Sequence, residues 1–347
     1  MPKNNLKLKN ILLIRTDRIG DVVLTMPMAV ILKRFFPDSR ITFLTRAYTA
    51  PLFEQFPAVD EVIVYHPENQ HKGFKGILSL ARSLKKQQYD AAFLFLPQFP
   101  LALAVFLAGI PHRFGTGFRW FSLFLNHRKF EHRKYGIKHE LEYNLSLLEE
   151  VLPNLPASDE IEFGFPGEEH WLSIREPLLK EFGISEPYVI IHPGSGGSAP
   201  NLPLEMFKNI VKEIQKKENL EILLVGTPLE KKLLEKIKPD ETNRIKCLTD
   251  LDLRGYMALI SGCQLFISNS TGPLHIARAL NRPVLGFYCP SRSCSPVRWG
   301  PYNKPEEVLV PELAPCKTGD TRKCPHGNCL AHLGWPEIKA KLEKYFE

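Results

Sequence analysis

"ILLIRTDRIGDVVLTMP", residues 11–27, begins as a strand and ends as a helix. Ile11, Leu12, Leu13 and Ile14 form an apolar run. Arg15, Asp17, Arg18, Gly20 and Asp21 follow before apolar residues resume. The stretch is neither a GxGxxG fingerprint nor a phosphate-binding Walker loop. A charged loop at a strand end, with a carboxylate about to enter a helix, fits an open parallel sheet. In such sheets ligands bind beyond the carboxyl ends of the strands.

Working outward, short apolar runs alternate with helical patterns. "NILLIR" leads into a helix near 22–35, and "RITFLT" into "TAPLFEQF", read as a helix. "EVIVY" is followed by a helix through "GILSLARSLKKQ", and "AAFLFL" by "LALAVFLAG". Strand-length runs of this kind predict a parallel sheet covered on both faces. The alternation restarts after about residue 160. "PYVIIHPG", "EILLVGT", "QLFISNS" and "PVLGFY" read as strands. "PLEMFKNIVKEIQKK", "LRGYMALISGC" and "PLHIARALN" read as helices. "PNLPASDEIEFGFPGEEH", rich in Pro, Gly and acid, reads as a linker. The expected fold is α/β: two Rossmann-like doubly wound domains, 1–160 and 161–347, facing a cleft. The last helix is a candidate to pack back on the first domain.

Composition agrees. A chain of 347 residues is too long for one ordinary core and suits two domains. A hydrophobic fraction of 44% belongs to a globular protein. The net charge of +7, from 45 basic and 38 acidic residues, favours anionic partners without specifying nucleic acid. The polar, basic opening "MPKNNLKLKN" does not read as a signal peptide, and seven cysteines, an odd number, suit a reducing cytoplasm. The uncharged run 91–110 has about the length of a membrane span. Pro97, Gln98 and Pro100 split it, so a buried strand followed by a core helix is expected.

Three strand ends in the second half carry loop chemistry. "HPGSGGSAP", from His192, packs Gly194, Ser195 and further Gly and Ser where backbone N–H groups can approach a phosphate. "VGTPLEK" carries Thr227 and Glu230; the carboxylate could accept from ribose hydroxyls or simply favour the helix start. "NSTGPLHIA" places Ser270, Thr271 and Gly272 before a helix opened by Pro273, with His275 in its first turn. A helix N-terminus offers N–H donors and positive dipole to a diphosphate. Leu251 completes the candidate donor set.

"IRTDRIGDVVLTMP", "HPGSGGSAPNLP" and "NSTGPLHIARAL", in this order, resemble the heptosyltransferase family of lipopolysaccharide core biosynthesis (glycosyltransferase family 9). The resemblance spans about residues 10–335 and implies a GT-B fold. It implies an acceptor on the N-terminal domain and a nucleotide-sugar, ADP-heptose in the usual case, on the C-terminal one. It further implies inversion at the anomeric carbon with no metal and no cofactor. The family's catalytic-base aspartate falls on Asp21. Such a base takes the acceptor hydroxyl proton on the face opposite the leaving diphosphate. Gly20 lets the backbone turn tightly beside it. Arg15, Thr16 and Arg18 surround it, with the arginines able to pair with acceptor carboxylate or phosphate.

The chain also departs from the family pattern. Some members have a Lys, followed shortly by Trp-Pro, after the glycine-rich loop; here the stretch reads Pro200-Asn201-Leu202-Pro203. The family's aspartate before Thr-Gly corresponds to Ser270. Leaving-group charge then falls to N–H groups, Ser195, Thr271 and His275, or to a cation from elsewhere. Residues 112–139 hold seven Arg or Lys, four His and one acid. Arg128, Lys129 and Arg133 are expected at the mouth of a site for an anionic glycolipid of the Kdo–lipid A type. That places the protein peripherally on the cytoplasmic face of the inner membrane, and no nucleic-acid module surrounds the segment. Cys316, Cys324 and Cys329, with His326, lack paired CxxC spacing and are read as a loop over the donor site rather than a metal centre. Other readings stay open: a GT-B enzyme with another nucleotide-sugar or acceptor, a nucleotide-sugar epimerase or hydrolase, or a non-catalytic binding protein.

Overall fold

In a computed structural model of the chain, residues 6–152, 154–197, 199–239, 243–314 and 324–347 are described. They form two units by their internal contacts. One contains the chain up to Arg133 and Glu140–Pro166; the other contains Lys134–His139 and Gly167–Glu347.

The first unit is a sheet of β1 (Asn10–Ile14), β2 (Arg40–Arg46), β3 (Glu61–Tyr65), β4 (Ala91–Leu94), β5 (His112–Thr116) and β6 (His127–Lys129). Its helices are α1 (Ile19–Val23), α2 (Met26–Phe35), α3 (Gly73–Gln87), α4 (Phe99–Leu107) and α5 (Glu140–Leu145). Strand order is β3-β2-β1-β4-β5-β6, and every described pairing is parallel. Ile11 stands between Ile41 and Ala91 in register. Ile11–Ile14 and Ala91–Leu94 are buried, as the unbroken apolar runs require of strands covered on both faces.

The second unit has β7 (Tyr188–His192), β8 (Glu221–Val225), β9 (Ile245–Leu248), β10 (Leu265–Asn269), β11 (Val284–Phe287) and β12 (Val308–Leu309). Its helices are α6 (Glu168–Phe182), α7 (Leu204–Gln215), α8 (Lys231–Ile237), α9 (Leu253–Gly262), α10 (Gly272–Ala279), α11 (Pro296–Trp299) and α12 (Trp335–Glu343). The order β12-β11-β10-β7-β8-β9, again parallel, repeats the winding of the first unit. In α7, Phe207, Ile210, Val211 and Ile214 face the core, the spacing of an amphipathic helix. The C-terminal helix α12 packs against α7 of its own unit, and Tyr345 donates to the Val284 carbonyl (2.6 Å).

Each sheet reverses its winding direction once, between β1 and β4 and between β7 and β10. Those are the switch points where open α/β sheets bind ligands. The charged loop of residues 15–21 leaves β1, and the glycine-rich loop leaves β7.

Two expectations need correction. The helix near 22–35 is two helices, because Pro27 has no N–H and its ring would strike the Val23 carbonyl in a continuous helix. The Thr25 hydroxyl instead bonds the Asp21 carbonyl (2.8 Å) across the break. "TAPLFEQF" forms only a single 3₁₀ turn, Ala50–Phe53; Glu54 turns extended and Gln55 takes a positive φ of 52°. The basic segment 112–139 contains two strands, β5 and β6. The uncharged run 91–110 divides as expected into β4 and α4, and no helix among the described residues is long and apolar enough to cross a membrane.

Candidate functional site

At the end of β1, Arg15 turns inward and is buried. Its Nε donates to Asp17 (2.6 Å) and its Nη2 to the other Asp17 oxygen (2.9 Å) and to Asp21. Its Nη1 donates to Glu140 and Asn144, both at 3.2 Å. Arg133 donates to the same Glu140 and to Asn144 (3.1 Å). Asn144 in turn donates to the Leu24 carbonyl (3.0 Å), at the break between α1 and α2. Two guanidinium groups and three carboxylates thus lock the loop against α5. Such clusters persist in a low-dielectric site only when nearly every charge is paired.

Asp21 lies in the first turn of α1, with its carboxylate partly open to solvent. Burial pushes its carboxyl up to about 7. The Arg15 guanidinium opposes that rise, while Asp17 and Glu140 add to it. A carboxylate with this affinity for protons can accept one near neutral pH and release it again. The burial of Arg15 corrects the expectation that it pairs with an acceptor. Its donors already face protein oxygens, so it shapes Asp21. Arg18 is exposed. Thr16 is buried, its hydroxyl 3.4 Å from the side-chain oxygen of Gln98, which follows β4. Gly20 is buried within α1. Lys129 is paired with Glu149 on the edge strand, whereas Arg128 beside it is exposed. Arg133 alone of these three joins the Asp21 cluster.

The second unit builds its loops from backbone and neutral groups. His192 ends β7, is buried, and bonds the Tyr256 hydroxyl (3.0 Å); burial drives its imidazole down to about 4. Asn269, at the end of β10, ties three segments together. It donates to the Pro193 carbonyl (2.6 Å), accepts from the Leu202 amide (2.9 Å) and reaches Asn201 (3.3 Å). The stretch Asn201–Leu202 is therefore anchored to the switch point. Ser195 donates to the Ala199 carbonyl (2.9 Å), and Gly196 and Gly197 hold positive φ values of 53° and 74° that glycine adopts without strain.

Gly194 faces Glu230 so closely that an added Cβ would lie 1.6 Å from a Glu230 carboxylate oxygen. Glu230 caps its own turn, accepting from the Thr227 amide (2.8 Å) and hydroxyl (2.9 Å). Thr227 and Glu230 are thus brought against the loop after β7. Leu251 stands beside Asp252, whose side chain caps α9. Beyond β10, Ser270 and Thr271 are buried and Gly272 and Pro273 open α10. Thr271 bonds Ser268 (2.9 Å), so its side chain does not cap the first turn of α10. His275 is buried among His139 and Trp299 and is driven down to about 3, so it is neutral at physiological pH. A cationic role in holding a diphosphate therefore does not fit it.

Residue-type reasoning did not single out Asp17, Glu140, Asn144 or Asn269. Glu140 and Asn144 lie on α5, over a hundred residues from Arg15, and only the fold brings them there. Cys289, Cys294 and Cys329 are buried in the core of the second unit, Cys324 packs against them, and Cys329 is hydrogen-bonded with Cys289. No disulfide joins any two of the six described cysteines. Among the described residues no three His, Cys, Asp or Glu are gathered to hold a metal. Cys316 lies outside the described residues.

Comparison with known proteins places the fold in a family. A Haemophilus influenzae protein provisionally named as a glycosyltransferase is 30% identical over 315 residues, covering 87% of this chain and 89% of that protein. Lipopolysaccharide heptosyltransferase 2 of Escherichia coli is 24% identical over 300 residues, covering 81% and 83%. The structure of the E. coli ADP-heptose LPS heptosyltransferase II superposes with a TM-score of 0.76 at 21% identity, over 97% of this chain and 98% of that one. That likeness shows the fold, GT-B. The model of glycosyltransferase family 9 (heptosyltransferase) matches residues 77–329. This chain is a glycosyltransferase and belongs to that family.

Proposed function

We propose that the protein transfers a heptose from ADP-heptose to an anionic inner-core acceptor of lipopolysaccharide, with inversion and without a metal. The observation that carries this reading is Asp21: a carboxylate at the switch point of the first sheet, raised to about 7. In the reaction the acceptor hydroxyl oxygen attacks the anomeric carbon. The bond from that carbon to the diphosphate oxygen breaks, ADP leaves with the bonding electrons, and Asp21 takes the hydroxyl proton. The N–H groups at the start of α10, with the backbone of the Gly194–Gly197 loop, receive the diphosphate charge. Glu230 accepts from the donor ribose. Arg18 and Arg128 meet the acceptor's carboxylate or phosphate groups. The relatives named above support donor and acceptor class through what they are named for.

The test is direct. Purified protein, ADP-heptose and a Kdo–lipid A acceptor should yield ADP and a heptosylated product in the presence of EDTA. No product with ADP-heptose, but turnover with another nucleotide-sugar, would move the donor assignment. Activity lost to EDTA and restored by Mg²⁺ or Mn²⁺ would overturn metal independence. The lipid acceptor also implies work at the cytoplasmic surface of the inner membrane.

A further inference from the structure

Helix α4 breaks the rule for surface helices. Its residues, Phe99–Leu107, read FPLALAVFL, without one polar side chain. A helix apolar on every side is ordinarily buried on every side. Here Phe106 is 44% and Leu107 40% exposed. The neighbouring 3₁₀ turn, Trp120–Phe124, enlarges the patch: Trp120 is 70% and Leu123 61% exposed. The two elements are continuous, with the Trp120 ring 5.0 Å from Phe99 and the Phe124 ring 5.2 Å from Phe106. Side chains of this size cost free energy in water, and a contiguous patch of them marks a contact surface.

The charge around the patch says what kind. In the first unit the stretch 95–133 holds Arg113, Arg119, Arg128, Lys129 and Arg133 against one carboxylate, Glu131, with Lys129 matched by Glu149 and Arg133 by Glu140. That carboxylate accepts from Ser146 (2.9 Å). The Arg113 guanidinium lies 5.5 Å over the Phe106 ring. Arg119 and Arg128 are exposed and form no ion pair with a described residue. An apolar face with Trp at its margin and cations around it fits the headgroup boundary of an anionic bilayer. A second copy of the chain fits less well, because a symmetric contact would bring this basic rim against itself.

The position follows the same logic. Gln98, one residue before α4, touches Thr16 in the Asp21 loop. The patch therefore begins beside the carboxyl ends of β1 and β4. We propose that α4 and the turn 120–124 form the face that rests on an anionic lipid bilayer, with Trp120 and Leu123 entering the headgroup layer. The inference rests on the lipid-linked acceptor proposed above only for the value of placing this face beside Asp21.

The experiment uses the full chain and vesicles carrying no glycan. Wild-type protein should co-sediment with phosphatidylglycerol-containing vesicles far more than with phosphatidylcholine vesicles. The triple variant F106S/W120S/L123S should lose about tenfold or more of that binding. A melting temperature and a turnover on water-soluble, deacylated acceptor equal to wild type would show that the fold and site are intact. Should the triple variant unfold, R119E carries the test alone, with weaker binding to anionic vesicles only. Absence of wild-type vesicle binding, or equal binding by variant and wild type, would overturn the proposal. So would a wild-type dimer that the triple variant turns into a monomer, since the patch would then be a subunit contact. Vesicle binding without heptose transfer would leave this face standing and remove the donor and acceptor assignment instead.

Discussion

Two switch points on identically wound sheets solve opposite problems. At the first, the loop after β1 buries charge: Arg15 holds Asp17, Asp21 and Glu140, and Arg133 closes the cluster. At the second, the loops after β7 and β10 avoid charge. Asn269 ties them together, and His192 and His275 are kept neutral by burial. The topology is shared, so the difference lies in the chemistry demanded. A proton-accepting site needs a carboxylate whose affinity is adjustable by neighbours, which a cluster of paired charges supplies. The proposed diphosphate site relies on oriented dipoles, helix N–H groups and a glycine loop, while Glu230, the carboxylate against that loop, is held by the Thr227 amide and hydroxyl.

The strongest attack is Asp21→Asn. The amide keeps the shape of the side chain but takes no proton. Turnover should fall about 10²–10⁴-fold while donor affinity, measured by calorimetry, stays at the wild-type value. Wild-type turnover would remove Asp21 as the base. Loss of donor affinity would show that the first switch point is not confined to acceptor chemistry.

Next in size is Gly194→Ala. The new Cβ would overlap the Glu230 carboxylate, which must then leave the Thr227 cap. The lost cap costs about 1 kcal/mol of stability. If Glu230 also holds the ribose, donor affinity should fall about tenfold, the scale of one hydrogen bond to a charged group. Acceptor KM should not change. Unchanged donor affinity in a folded variant would reduce Glu230 to a helix cap.

Both switch points were legible in the sequence to different depths. The strands could be read because apolar runs such as Ile11–Ile14 and Tyr188–His192 are bounded by Gly, Pro or charge. Asp21 was singled out mainly by the family resemblance of its motif, in a loop with more charge than an ordinary turn. Glu140 and Asn144 were not. They sit in "KHELEYN", which looks like any amphipathic helix start, and their meaning comes from meeting Arg15 across the fold. The role of Arg15 was misjudged for the same reason, since burial of an arginine depends on partners far along the chain. Strand β5 and the edge strand β6 were hidden because their stretches, HRFGT and HRK, carry basic residues in place of an apolar run.

A pH series separates the two sites further. A base is active once deprotonated, so log kcat/KM should rise with unit slope below about pH 7 and level above it, following Asp21. Donor affinity should be flat between pH 5 and 9 as far as His192 and His275 contribute, since their values near 4 and 3 leave both neutral throughout. Asp17→Asn removes a negative neighbour that favours the protonated form of Asp21, so the limb should move to lower pH. A limb that stays put in that variant would assign it to another group.

The smallest expected effect belongs to the edge strand. Arg128 is exposed on β6 and forms no ion pair with a described residue, whereas Lys129 is already matched by Glu149. Surface charges act through water and are screened beyond about 8 Å at physiological salt. Replacing Arg128 by Gln should therefore raise acceptor KM only a few-fold, with kcat and donor affinity unchanged, on the scale of about 1 kcal/mol or less for an exposed pair. Lys129→Gln should do less, because it frees Glu149 while removing a cation that was neutralised. The discriminating measurement is acceptor KM across a salt series. Wild-type KM should climb with ionic strength, and that of Arg128→Gln should climb less steeply. Equal slopes would mean that no acceptor charge comes near β6, leaving Arg18 as the exposed cation beside Asp21 to meet the acceptor.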